Sequence, residues 1–434
     1  MKKLNILFLS ILITVSFAIS IYAGVYKGVK KMKFENGLTA VIKKDSSVPI
    51  VSVNIGVRVG SVNEEPSQAG LSHFIEHLLF KGSKNYEGDL MTRTVEKMGG
   101  YINAATSKEY TCFYIDIQKD GYIEAIKMLA DTVANPLFPE DEITQERKVV
   151  IEEIQRHKDN PQAELFEHFM ATLYKSSDYK NSVIGFRDVI ANVSRDEIVK
   201  YHSTHYIPSK MVISVVGDID EKETIETIKN TLGKLEKKEL PKEPVIIENF
   251  SKNDEFTTKD KVAHSYMLAG FLGPDSSSKD IYVADVALKI LGDGKSSRLY
   301  RKLKEEQKLV YAISSSFFSL KGTGSAYILA VFEQDNYNKV IESIENELDL
   351  FLKDGPTQEE LNRIKINIKS DWLFDLQTFN EQANQLQYWY LQGHPEIFKD
   401  YLKNIDKVTI KDVKDFMNKY YSKEKLSKAV IFPK

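Results

Sequence analysis

Three side chains able to do chemistry sit within five residues, in the run His73-Phe74-Ile75-Glu76-His77. On a helix, His73 and His77 stand at i and i+4, so both imidazoles leave the same face. Two neutral imidazole nitrogens side by side suit Zn²⁺. Glu76, three residues after His73, shares that side, where a carboxylate can take the proton of a water activated at the metal. Leu71, Phe74, Ile75, Leu78 and Leu79 supply the apolar remainder that packs such a helix down. The chain has only 8 histidines in 434 residues. A chance pattern of this kind is therefore expected on the order of 0.01 times per chain.

A catalytic zinc needs a third protein ligand and an open position. The run Glu146-Arg147-Lys148-Val149-Val150-Ile151-Glu152-Glu153-Ile154 offers candidates. Glu146 and Glu153 are two helical turns apart and share a face, while Glu152 points elsewhere. Each of these carboxylates, taken alone, reads as a solvated helix residue. The His-x-x-Glu-His order is a signature of zinc-dependent peptide hydrolysis. Two histidines and a carboxylate also suit Fe²⁺, so a metal enzyme of another class is the rival. His202 and His205 flank a helix end before Pro208 and read as structural. His157, one turn after Glu153, either orients it or lies on an exposed face. Cys112 is the only cysteine, so no intramolecular disulfide forms, and its strand-like neighbours make it a buried thiol rather than a nucleophile.

The elements that must position these residues are legible as hydrophobic periodicity. Alternation at 38–44, 50–59, 101–106 and 111–117 predicts strands. Helical spacing covers 70–80, 89–98, 122–134 and 140–158, with a fresh start at Asp159-Asn160-Pro161. The charged, proline-bearing stretch 233–248 reads as a linker between halves at 24–232 and 249–434. Each half ends in the same order: a capped helix (193–201 and 408–416), a tyrosine (Tyr206 and Tyr421) and a strand (211–216 and 428–431). That repetition favours an internal duplication. The expected fold is α+β: two related sandwich domains, each an antiparallel-rich sheet packed with helices.

Apolar residues make up 42% of the chain and charged residues 28%, as in globular proteins, and the net charge of −3 leaves no basic footprint for nucleic acid. Lys2 and Lys3 precede an apolar run, 4–21, that ends at Tyr22-Ala23-Gly24. Residues 1–23 thus have the layout of a signal peptide, and an uncleaved membrane anchor is the alternative. No cysteine follows the run to carry a lipid. The expected location is periplasmic or secreted.

The pairing of the His-x-x-Glu-His motif with a downstream glutamate resembles the insulinase, pitrilysin and mitochondrial-processing-peptidase family of zinc metallopeptidases. The 75 residues between His77 and Glu153 match the separation of that family's third ligand from its motif. Phe80-Lys81-Gly82-Ser83, Gly99-Gly100-Tyr101-Ile102-Asn103-Ala104 and Asp159-Asn160-Pro161 also resemble family segments, and the likeness spans nearly the whole chain after the leader. It implies one Zn²⁺ per chain held by His73, His77 and Glu153, with Glu76 as general base. Glu146 would assist catalysis or metal binding. It also implies that Asn103 and Ala104 lie on an edge strand that pairs with an extended peptide substrate, and that two chains close a chamber. The run 296–311 resembles the segment that contributes an arginine and a tyrosine to substrate binding; Tyr311 matches, while Lys304 replaces the arginine and Val310 the usual glycine. The partner implied is a second copy or a related chain without the motif.

Overall fold

The computed structural model of the chain describes residues 26–434 apart from 242, 244, 245, 247 and 249–253. The signal peptide or anchor expected at 1–23 and part of the 233–248 segment lie outside the described residues. Alternating, β-branched runs form two mixed sheets. The first contains β1 (Lys30–Lys33), β2 (Thr39–Lys44), β3 (Ile50–Val57), β4 (Tyr101–Thr106), β5 (Thr111–Gln118) and β6 (Met211–Gly217), in the order β1-β2-β6-β3-β5-β4. The second contains β7 (Glu255–Asp260), β8 (Ser265–Gly273), β9 (Val310–Leu320), β10 (Thr323–Phe332) and β11 (Ser427–Pro433), in the order β7-β11-β8-β10-β9.

Apart from the additional strand β1, the two orders are the same topology. In each sheet one parallel pair, β2 with β6 or β7 with β11, is followed by three antiparallel steps. The strand that closes each half in sequence, β6 or β11, takes the same place. It follows a helix that opens on a capping box, Ser194 with Glu197 in the first half and Thr409 with Asp412 in the second. The two sheets are related units, as the repeated sequence pattern implied.

How the halves meet could not be read from the pattern. The helix Pro161–Leu173, from the first half, lies on the second sheet, where Leu165, Phe169 and Leu173 join Leu268, Leu272, Ala429 and Ile431 in one buried cluster. The helix Phe379–Gln392, from the second half, lies on the first sheet in return. That second contact joins apolar packing, with Val41, Val212 and Val216 in one buried cluster with Ala383, Leu386 and Leu391, to hydrogen bonds: Lys43 Nζ donates to Gln382 (2.7 Å), Asn54 Nδ2 to Asn384 (2.5 Å) and Asn380 Nδ2 to Asp116 (3.1 Å). Each sheet therefore has one face covered by the opposite half, and the connecting segment does not separate two independent bodies. Glu248 in that segment accepts the backbone N–H groups of Ser176 and Ser177 (2.8 Å each), and Glu243 pairs with Lys210 (3.1 Å). Among the described residues no helix is long and apolar enough to cross a membrane.

Candidate metal centre

The His-x-x-Glu-His run forms the helix Leu71–Leu79, here the motif helix. Leu71, Phe74, Ile75, Leu78 and Leu79 are buried in the core of the first sheet, which turns His73, Glu76 and His77 to the opposite, half-open side. The helix begins at Gly70, whose φ of 94° is a left-handed conformation that disfavours a side chain. A Cβ there would also meet the Ile184 carbonyl oxygen at 2.7 Å. Glu64, buried at 3% exposure, accepts Gly70 N–H and Ser72 N–H, both at 2.7 Å, and satisfies donors that a helix start leaves orphaned. Burial pushes the Glu64 carboxyl up to about 7.

The helix Glu140–Lys158, here the glutamate helix, packs against the motif helix and brings Glu153 to the two histidines. Glu153 Oε2 lies 3.5 Å from His77 Nε2 and 3.9 Å from His73 Nε2. The imidazole centroids are 4.7 Å apart. Among the described residues, His73, His77 and Glu153 form the single group of His, Cys, Asp and Glu side chains placed to share a metal ion. Donors about 2.1 Å from a tetrahedral zinc lie about 3.4 Å from one another. The observed spacing and the N₂O donor set therefore fit Zn²⁺. Burial, with His77 adjacent, lowers the His73 pKa to about 4, so its imidazole is neutral and able to ligate at neutral pH.

Glu152 is exposed, as its place on the far face requires. Glu146 is buried on the same face as Glu153 but one level back: its Oε2 accepts from His77 Nδ1 at 3.1 Å and its Oε1 pairs with Lys81 at 2.7 Å. It stands behind the imidazole of His77, on the Nδ1 side, away from the side that faces Glu153. Glu76 receives a hydrogen bond from Thr106 Oγ1 on β4. Burial raises the Glu76 carboxyl above the ordinary range, and the Thr106 hydrogen bond and His77 oppose the rise.

β4 is the edge of the first sheet and, among the described residues, pairs with β5 alone. Asn103 is exposed on it, and Ala104 N–H is bonded by Asn103 Oδ1 (2.9 Å) instead of by a neighbouring strand. Lys304 and Tyr311 are engaged within the second half. Lys304 Nζ lies 5.0 Å over the Tyr300 ring, and Tyr311 donates to Glu333 (2.5 Å) and packs on His264. His157 faces Glu167 at 3.5 Å, so it does not orient Glu153. His202 is buried, hydrogen-bonded to the Val133 carbonyl (2.9 Å) and stacked on Tyr206, a structural role. Cys112 is buried, and burial pushes its thiol up to about 11, which leaves it inert.

Sequence reasoning missed Glu64 and Lys81 as parts of this site. Glu64 acts from an irregular segment outside the motif, and only its distance of six to eight residues from the helix start could have hinted at a cap.

Known proteins are similar to this chain. Residues 39–186 match the family described as insulinase (peptidase family M16), and residues 192–368 match the peptidase M16 inactive domain. A zinc protease of Helicobacter pylori is 29% identical over 90% of this chain and 90% of its own length. An uncharacterized zinc protease of Bacillus subtilis is 27% identical over 88% of this chain and 91% of its own. The crystal structure of a protease from Helicobacter pylori superposes with a TM-score of 0.87 at 25% identity, covering 93% of this chain and 99% of that one. The periplasmic protease PqqL of Escherichia coli has the same fold, with a TM-score of 0.79 at 19% identity, and this chain spans 47% of it.

Proposed function

The chain belongs to the insulinase family, peptidase family M16, and is a zinc metallopeptidase; on that premise we propose that it is an endopeptidase acting on extended peptides or unfolded protein segments. The observation that carries this reading is the meeting of His73, His77 and Glu153 beside Glu76, on a helix packed against an edge strand. His73 Nε2, His77 Nε2 and Glu153 Oε2 would hold one zinc ion. Zinc bound there would supply Lewis acidity, which polarises a scissile carbonyl and lowers the pKa of water to about 7.

The chain's own residues do the rest. Glu76 accepts the proton of the attacking water and returns it to the departing amine. Thr106 occupies Oε2 of Glu76, which leaves the other oxygen for that proton. β4 adds the substrate backbone as a further strand, with Asn103 and Ala104 as its contacts, so affinity comes from main-chain hydrogen bonds without strict sequence choice. Ala104→Pro tests this directly. Proline removes the edge N–H that Asn103 now covers and is tolerated in an edge strand. The specificity constant on a quenched, unstructured peptide should fall about tenfold, near the upper value of one hydrogen bond, with zinc content unchanged. An undiminished constant would remove β4 as the docking strand.

The first half, 24–232, would carry catalysis, joined through 233–248 to a metal-free half at 249–434. We propose export, with residues 1–23 as a signal peptide or anchor, and a chamber closed by a second unit. A related chain without the motif is favoured as that second unit, because Lys304 lacks the planar fork of the arginine it replaces. PqqL, twice this chain's span, is compatible with two such units working together. Expressed alone, this chain should show weak activity that rises on addition of such a partner. Full activity from the chain alone, sharply reduced by Lys304→Ala, would instead establish a homodimer in which Lys304 and Tyr311 grip the substrate.

A further inference from the structure

His73 and His77 are not held alike. Among the described residues, Nδ1 of His73 is buried without a hydrogen-bond partner, whereas Nδ1 of His77 donates to Glu146. The orientation of the ligand pair therefore depends on how firmly Glu146 itself is fixed. Its Oε2 is occupied by His77, and its Oε1 is held at 2.7 Å by Lys81 Nζ. Lys81 follows the motif helix by two residues and lies one helical turn beyond His77. One carboxylate on the glutamate helix is thus gripped at both oxygens by two residues four apart on the neighbouring segment.

We propose that Lys81 is a positioning residue of the metal centre, which acts through Glu146 to fix the His77 imidazole for zinc. Three features of the structure make the contact more than a surface ion pair. Glu146 is 8% exposed, and a buried carboxylate left with an unpaired oxygen is costly. Lys81 itself comes just after the last residue of the motif helix, where the helix dipole favours a cation. A carboxylate held at one oxygen can pivot about that single bond, and its partner imidazole then gains the same freedom. Held at both, it presents Oε2 to Nδ1 in one direction, so Nε2 stays aimed at Glu153. This follows the general rule that groups behind a ligating histidine tune affinity. Here it extends one residue further, to a lysine that touches no ligand.

The inference rests on the zinc reading, and the test separates the two. Zinc affinity is measured on the whole metal-stripped chain by competition with a chromophoric chelator, with zinc ion alone as the probe. If the unmutated chain takes up no zinc, the zinc reading fails. With zinc bound by the unmutated chain, Lys81→Met should weaken affinity about tenfold, the low end for groups behind a metal ligand. Lys81→Arg, which keeps a cationic donor, should stay within about threefold. In a Glu146→Gln background Lys81→Met should add less than about twofold, because the path through the carboxylate is already broken. Unchanged or tighter binding in Lys81→Met overturns the proposal, as does an equal loss in both backgrounds. Melting of the metal-free proteins is followed in parallel. A lowered melting temperature with unchanged zinc affinity would reduce Lys81 to a staple between helices and overturn the positioning role. If Lys81→Met does not fold, Lys81→Gln enters the same cycle and the same outcomes decide.

Discussion

Glu76→Gln is expected to keep its zinc and lose its peptidase activity. The substitution preserves size and leaves His73, His77 and Glu153 in place, so metal content should match the unmutated chain. The amide cannot accept a proton from water, and general-base catalysis is worth about 10²–10⁴ in rate. The turnover number on a quenched peptide should therefore fall by at least about a hundredfold, with KM little moved. The surroundings of Glu76 make this a sharp test. Its Thr106 contact can be kept by the amide oxygen of glutamine, so a structural collapse does not mimic the catalytic loss. Activity within tenfold of the unmutated chain would remove Glu76 as the base.

The second large effect concerns two neighbours. Glu153→Ala deletes one of three donors and should leave a site that loses most of its zinc on dialysis, with activity lost in proportion. Glu152→Ala should retain zinc and activity, because Glu152 is exposed on the far side of the glutamate helix. The contrast depends on a 100° step along one helix and on nothing else in composition or charge. Equal zinc content in the two variants, measured by elemental analysis after dialysis, would show that the glutamate facing His73 and His77 was misassigned.

Much of this site was legible because its parts obey short-range rules. His73 and His77 declare themselves by i, i+4 spacing, and the motif helix runs 71–79 inside the expected 70–80. The glutamate helix, 140–158, and the helix 122–134 match their expected bounds, since both carry apolar residues at helical spacing between clear breaks. The shared face of Glu146 and Glu153 followed from helical spacing, but their different depths did not. Which of two aligned carboxylates meets Nε2 and which meets Nδ1 is decided by how the two helices cross, which periodicity within one helix does not encode. The same limit hid the exchange of helices between halves. The stripe of Phe169 and Leu173 states that a face is buried without saying against which sheet. Glu64 and Lys81 were missed because one caps from an irregular segment and the other acts across a gap between elements.

We propose that one zinc ion, held by His73, His77 and Glu153, makes this chain a peptidase. The most direct measurement is the metal content of the purified chain, taken together with hydrolysis of a quenched peptide before chelation, after chelation and after zinc is returned. The expected result is one zinc per chain, hydrolysis abolished by chelation, and hydrolysis restored by stoichiometric zinc. Iron in place of zinc, or peptide hydrolysis that persists undiminished in the metal-free chain, would contradict it.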